Sequence, residues 1–395
     1  MSNLCENVKN RIQDLFVKLQ VTGDKDEYEA PTKDDVIRLN VDYQFQATPE
    51  EIEREFLKSS YTPEGNLSGI KIGTMGGQSE MYGADYSDGV TKPWMHPYLL
   101  ACGLVDTKVQ SLVCAVTTDA IHDEILTGGT SGAELRVIVP TESTDTKVHI
   151  IVVSGVPEAT GETFNGSEGA VIVTSNDTLT DEGWSYQFST SACEHLSTRS
   201  EIDGFKSEMF NGIPTVQFSA ESGKIPHMIW EIAGVINHDG ADFVWMKNAT
   251  GTADIVRDPK APDLYVDARA LENDFQPVID GTTLVDLGIV RSILPNANAV
   301  SGVEGYNVTG RKSIYNRRIG IPQNSDLDVF KETFDANTVK SQTRMGQNQY
   351  NTFWHFVRAG RFNPTTVEDQ DGNAKYALSS VMTGQDDAEY ELVCI

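Results

Sequence analysis

Short apolar runs that alternate or are β-branched, separated by Asn-Gly and Asp-Gly pairs, constrain this chain more than any other feature. The runs include Ile70-Lys71-Ile72-Gly73-Thr74, Lys147-Val148-His149-Ile150-Ile151-Val152-Val153, Ala170-Val171-Ile172-Val173-Thr174 and Ile213-Pro214-Thr215-Val216-Gln217-Phe218-Ser219. Alternation of this kind belongs to strands with one buried face. The pairs Asn165-Gly166, Asp203-Gly204, Asn211-Gly212 and Asp239-Gly240 suit hairpin turns, because both residue types tolerate positive φ. The expected fold class is therefore mainly β (α+β), with sparse helices packed on sheets.

Four stretches carry helical signals. Val8, Ile12, Leu15, Phe16 and Leu19 would form one apolar stripe over residues 5–20. Thr48-Pro49-Glu50-Glu51 has a cap, a proline suited to a first turn and a capping-box acid, with Ile52 and Phe56 on a buried face. Pro97-Tyr98-Leu99-Leu100-Ala101-Cys102-Gly103 reads as a short helix with proline at its start and glycine past its end. Ser325 and Asp328 would open a helix that buries Leu327, Phe330 and Phe334.

A length of 395 residues allows about two domains. Proline and charge cluster in Arg257-Asp258-Pro259-Lys260-Ala261-Pro262, which marks a boundary. Gly305 to Tyr315, with the helix after it, repeats the order of the strand from Ile70 and the helix from Pro97, so the halves read as distant copies. The expected division is an N-terminal segment 1–47, then a first β domain 48–256 and a second 257–395.

The formal net charge is −27. Such a surface repels phosphate, which argues against nucleic-acid binding through a basic patch. Acidity also keeps a protein soluble, and composition does not separate the two roles. The five cysteines, Cys5, Cys102, Cys114, Cys193 and Cys394, are scattered with no C-x-x-C pair, as expected of reduced thiols, and Cys102 and Cys114 read as core fillers. No apolar run is long enough to cross a bilayer, and Met1 to Asn7 lacks a secretory pattern, so the chain is expected to mature where it is made, without a membrane partner.

Candidate chemistry is thin. His122 beside Asp123 and Glu124 could serve acid–base work, but a solvent-exposed acidic loop is the simpler expectation. Cys193 and His195 supply only two of a structural zinc's four ligands. Glycine comes too early in Glu368-Asp369-Gln370-Asp371-Gly372-Asn373 for a calcium loop, so an Asp-Gly hairpin is expected. Thr127-Gly128-Gly129-Thr130-Ser131-Gly132 lacks the Gly-Lys-Ser/Thr end of a phosphate loop and reads as a flexible loop. Asn66 and Asn307 are glycosylation triplets that mean nothing without secretion. Trp94, Trp184, Trp230, Trp245 and Trp354 are dispersed. No catalytic, cofactor-binding or metal residue is assigned, no cofactor is expected, and the chain is not expected to be an enzyme.

Three blocks carry a resemblance. They are Ala30-Pro31-Thr32-Lys33-Asp34-Asp35-Val36-Ile37, the stretch from Glu80-Met81-Tyr82-Gly83 through Pro97 to Gly103, and that from Asp203-Gly204-Phe205 through Gly212-Ile213-Pro214 to Ser222-Gly223-Lys224. Thr309-Gly310-Arg311 and Asp371-Gly372 add to them. In this order they resemble the major tail tube proteins of long-tailed, non-contractile (siphovirus-like) bacteriophages. The chain departs from that family in its length, through inserts from Asp119 to Gly161. The resemblance implies tandem tail-tube-like β-sandwich or barrel domains, each with a flanking short helix. It also implies a structural virion protein whose rings stack into the conduit for DNA ejection. The ring would hold three chains with pseudo-sixfold symmetry, or six. Tail terminator, tape measure and baseplate proteins would be its partners. Genomic DNA would pass the lumen without specific binding, and the N-terminal segment 1–47 and the C-terminal tail from Asp386 to Ile395 would be candidate inter-ring arms, because termini are free to reach. The place would be the virion tail, assembled in the host cytoplasm. Rival expectations are another virion part, such as a tail completion or capsid decoration protein, a carbohydrate-binding β-sandwich, and an acidic β-rich hydrolase.

Overall fold

A computed structural model describes residues 13–20, 28–37, 39, 43–52, 67–81, 90–157, 161–190, 194–202, 205–221, 224–237, 246–247, 269–270, 278–294, 303–321, 328–335, 338–346, 352–363, 366–370, 373–383, 387 and 389–395. The N-terminal strands are β1 (Gln13–Leu19), β2 (Val36–Ile37), β3 (Gln44–Ile52) and β4 (Leu67–Glu80). Helix α1 (His96–Ala101) leads into β5 (Leu104–Val116), β6 (Ile125–Gly128), β7 (Glu134–Val137), β8 (Lys147–Ser154), β9 (Thr163–Gly166) and the long β10 (Val171–Phe188). There follow β11 (Leu196–Ile202), β12 (Phe205–Glu221), β13 (His227–Ile236), β14 (Met246–Lys247), β15 (Arg269–Ala270), β16 (Val278–Val285), β17 (Leu287–Leu294), β18 (Val303–Arg311) and β19 (Ile314–Gly320). Helix α2 (Val329–Asp335) precedes β20 (Thr338–Met345), β21 (Phe353–Phe362), β22 (Thr366–Gln370), β23 (Asn373–Met382) and β24 (Tyr390–Cys394).

The fold is mainly β, with a large antiparallel sheet. Strands β2, β1, β11, β12, β13, β4 and β3 lie side by side. Where β11 leaves β12, β16 takes its place, and the ladder runs on through β19, β23, β21, β24, β10 and β5. Curling in this way encloses one large apolar cluster. Leu15, Met75, Trp230, Ile232 and Phe218 meet Val285, Tyr315, Phe353, Tyr390 and Leu392 there, so residues from both sides of the expected boundary share it. The boundary itself, 257–262, lies outside the described residues.

Helix α1 sits within that cluster. Tyr98, Leu99 and Ala101 are fully buried, and Tyr98 packs on the Trp230 ring at 5.5 Å. Pro97 lies in its first turn and Gly103, at φ 78°, ends it in the left-handed conformation that favours glycine. This helix matches the expectation, as do the strands β8 and β12 and the start of β10.

Other expectations give way to strand pairing. The helix expected over residues 5–20 is strand β1 where it is described. Leu15, Phe16 and Val17 are consecutive and all buried, the mark of a strand covered on both faces, and β11 and β2 supply its hydrogen bonds. The segment therefore belongs to the sheet along 13–19. The helix expected from Thr48 is part of β3. Pro49 falls at a register break against β4, where a missing N–H is tolerated. Asn211-Gly212 is not a turn. Asn211, at φ 50°, forms a bulge inside β12, and its N–H donates to Gln20 Oε1 at 2.7 Å. The turns at 203–204 and 239–240 lie outside the described residues, although Ile202 pairs with Phe205 across the first. Helix α2 starts late, at Val329, capped by the Asp328 carboxylate on Lys331 N–H at 3.0 Å. Only Val329 is buried on it. Phe330 is 41% exposed with its ring edge-on to Tyr376 at 5.8 Å, and Phe334 is 83% exposed, so the expected apolar face fails at Phe334, while Val329 enters the cluster of Ile319, Phe362, Tyr376 and Leu378 and Leu327 lies outside the described residues.

The stretch between Leu104 and Thr174 makes a structure of its own. Strands β5, β8, β7, β6, β9 and β10 pair in that order, and β10 returns to β5, closing a six-stranded barrel. Its interior is filled by Leu112, Leu126, Leu135, Val137, Val148, Ile150, Phe164 and Ile172. Closure removes exposed edges. The barrel's outer face meets the main sheet through Val109, Ile138, Val139 and Ile151 against Trp354, Phe356 and Val393.

Strand β24 runs between β10 and β21, with Tyr390, Leu392 and Val393 fully buried. Beside it, a Cβ on Gly183 would fall 2.0 Å from the Cys394 carbonyl oxygen, a backbone atom that cannot step aside. Gly183→Ala should destabilise the fold by roughly 1–3 kcal/mol through overpacking, read as a lower urea midpoint at unchanged slope.

Candidate functional site

The densest polar cluster among the described residues lies where barrel and main sheet meet. Glu391, on β24, is fully buried. Its Oε2 accepts hydrogen bonds from His122 Nε2 at 2.9 Å, Arg136 Nη1 at 3.0 Å and Arg358 Nη2 at 2.6 Å. Its Oε1 accepts from Arg136 Nη2 at 3.0 Å and from the Ser185 hydroxyl. Asp123 completes the cluster, its Oδ1 2.8 Å from both Arg136 Nη1 and Arg358 Nη2, and its Oδ2 2.8 Å from Arg358 Nε. His122 stacks on Phe356 with ring centroids 3.7 Å apart and planes 7° from parallel.

Each partner comes from a different element. Arg136 projects from β7 of the barrel, Arg358 from β21, and Ser185 from β10. His122 and Asp123 lie in the tight segment before β6, where Asp123 takes φ 70° and its N–H donates to Val137 O. Burial alone pushes the Glu391 carboxyl up. The His122 hydrogen bond and the charges of Arg136 and Arg358 outweigh it and hold the group well below the usual carboxylate range. Burial likewise works against the Arg136 charge, and Glu391 and Asp123 raise its pKa despite it. Two guanidiniums against two carboxylates leave the pair of each sign matched.

This arrangement corrects the expectation for His122. It is not on an exposed acidic loop, since its side chain is 10% exposed and wedged between Glu391 and Phe356. Ligand atoms of His122, Asp123 and Glu391 lie within 4.8 Å of one another, close enough for a cation. The donor set does not fit one, because the carboxylate oxygens already hold two guanidiniums and a further positive charge would be repelled at short range. Nor is it a nucleophile site. The Ser185 hydroxyl donates to a carboxylate held ionised, and both residues are fully buried.

The same economy recurs around the barrel. Glu162 Oε1 accepts from Thr130 N–H at 3.1 Å, Ser131 N–H at 2.7 Å and Ser131 Oγ at 2.7 Å. The glycine-rich run 127–132 is thus a pinned hairpin tip joining β6 to β7, not a flexible loop. Glu124 accepts from the N–H groups of Ile121, Glu168 and Ala170. Glu182 takes Ser111 Oγ at 2.9 Å and Lys147 Nζ at 2.8 Å. All three carboxylates are nearly inaccessible.

The remaining sequence candidates stay apart. His195 Nε2 lies 3.1 Å from Tyr306 O, and Cys193 is outside the described residues. Gln370 pairs with Asn373, which closes a hairpin across 371–372. Cys102 and Cys114 are buried, the Cys102 thiol donates to Pro214 O at 3.3 Å, and burial pushes the Cys114 thiol up to about 11. Trp230 and Trp354 are core residues, Trp184 lies under Lys92, and Trp245 is outside the described residues. Sequence reading missed Arg136, Arg358 and Glu391. The available signal was a glutamate set between Tyr390 and Leu392 in an apolar run. No helix among the described residues is long and apolar enough to cross a membrane. No protein-family model and no curated protein matches this chain.

Glu391→Gln leaves two largely covered guanidiniums, each 16% exposed, short of one counter-charge and should cost about 2–4 kcal/mol of stability, measured by chemical denaturation at pH 7. A second outcome concerns acid. His355, fully buried, pairs its Nδ1 with Tyr390 Oη at 2.7 Å, and burial pushes its pKa down to about 3. The unfolded chain binds that proton near pH 6.5, so stability is full above 6.5 and falls as pH drops toward 3. His96 and His149 shift the same way, to about 4. At pH 5 the His355 share is about 2 kcal/mol. His355→Asn should reduce the difference in stability between pH 7 and pH 5 by about that amount.

Proposed function

We propose that the chain is a structural subunit that assembles with copies of itself, and that it is the tube-forming subunit of a long-tailed bacteriophage tail. The observation that carries this reading is the use made of its polar groups. The Glu391 carboxylate is fully buried and takes its donors from within the chain, and the ionic cluster around it holds one part of the fold against another. Mainly β architecture supports the reading. Among the described residues, β3 pairs only with β4 and β22 only with β23, so each keeps an edge that a neighbouring subunit could complete. Heterologous contacts of this sort close into rings when the rotation permits. A net charge of −27 suits a conduit wall that DNA phosphates slide past without sticking. Three chains per ring follow if both halves contribute a ring-forming unit, and six if the chain contributes one.

Negative-stain electron microscopy of the concentrated protein, with the ring mass measured by light scattering, tests this. Hollow rods or rings of three or six chains are expected. Persistent monomers across salt and pH conditions would overturn the reading and favour a non-polymerising virion part, such as a decoration protein.

A further inference from the structure

Beyond holding the barrel, the chain's last residues join separate parts of the molecule. Asp387, Glu389 and Glu391 alternate along one stretch. Asp387 Oδ1 accepts from Arg311 Nη2 at 3.0 Å, and its carboxylate also takes the Thr190 N–H at 2.7 Å. Glu389 Oε1 accepts from Arg311 Nε at 2.6 Å, while the Arg311 guanidinium lies 3.9 Å from the Phe188 ring centroid. Arg311 ends β18, in the two-stranded hairpin that β17 and β18 form apart from the main sheet. Glu391, two residues further on, holds Arg136 of the barrel and Arg358 of β21. One five-residue span thus grips a hairpin with two of its acids and a barrel with the third.

The backbone leaves this segment dependent on those grips. Strand β24 is five residues long, and its ladders to β10 and β21 span four and five residue pairs. The barrel has its own filled interior and a closed ladder, so its internal packing does not need β24. Its outer face does, because Val393 lies in the apolar contact with Ile138, Val139 and Ile151. We propose that Asp387 and residues 389–394 form a conformational clasp with two separable arms: Glu391 seats the barrel against the main sheet, and Asp387 with Glu389 seats the β17–β18 hairpin. Opening the Glu391 arm frees the barrel to shift as an intact body. Opening the other arm frees the hairpin and leaves the barrel in place.

Hydrogen exchange read by mass spectrometry on the full chain tests this. In Glu391→Gln, amides of β24 and of its β10 partners Trp184–Gln187 should exchange at least tenfold faster, with the barrel-internal β7 and β9, and with β13 and β18, at wild-type rates. In the double variant Asp387→Asn, Glu389→Gln, acceleration should appear in β18 and be absent from Trp184–Gln187. If Glu391→Gln does not fold, Glu391→Asp, which keeps the charge but shortens the reach, is expected to give the same pattern. Equal acceleration in β13, lost protection in β7, an unchanged β24 in the Glu391 variants, or one shared pattern for both arms would each overturn the clasp.

Discussion

A single carboxylate, that of Glu391, decides how the two major bodies of this protein meet. It accepts hydrogen bonds from His122, Arg136, Arg358 and Ser185, which come from the barrel, the main sheet and the strand that links them. A buried charge of this kind is costly unless its partners surround it. Here the surrounding is complete only in one arrangement of the bodies, so the electrostatics select a geometry more than they add net stability. The apolar contact around Val393 and Phe356 supplies attraction, at roughly 1.5–3 kcal/mol for each large side chain fully buried, but greasy faces alone tolerate sliding. The ionic cluster does not.

Acidity therefore has two different jobs in this chain. Much of the charge of −27 faces water, yet Glu124, Glu162, Glu182 and Glu391 are turned inward, where they tie backbone N–H groups, lysine and arginine. A count of acids says nothing about this division. Its physical basis is local: an inward carboxylate can take two or three donors at once and so fixes a hairpin tip or a strand crossing that has no side-chain core of its own.

Much of the architecture was legible because strand alternation is a local signal. The runs at 147–153 and 213–219 and the helix after Pro97 all stand where the pattern puts them. The failures share one cause. Leu15 to Val17 and Thr48 to Glu51 have acceptable helical spacing, and only the offer of partners from β11 and β4 makes them strands. Asn211-Gly212 has hairpin chemistry, but a strand that passes from one neighbour to another needs a bulge at that point and uses the same positive φ for it. The ionic cluster was out of reach for a related reason. Arg136 and Glu391 are 255 positions apart, and no local pattern pairs them. The closed barrel lay in what the sequence offered only as an insert, since closure depends on which strands find each other.

The barrel enters and leaves the molecule on β5 and β10, which are paired neighbours at the point of departure, with Leu112 opposite Leu179. Everything between them is a detour that begins and ends at one rung of a ladder. A hairpin turn at that rung would leave the strands below it in register, but it would strip Glu391 of His122 and Arg136 and leave it Arg358 and Ser185. The body and its appendage are joined by the two strands that run through both and by the last strand, which packs on each.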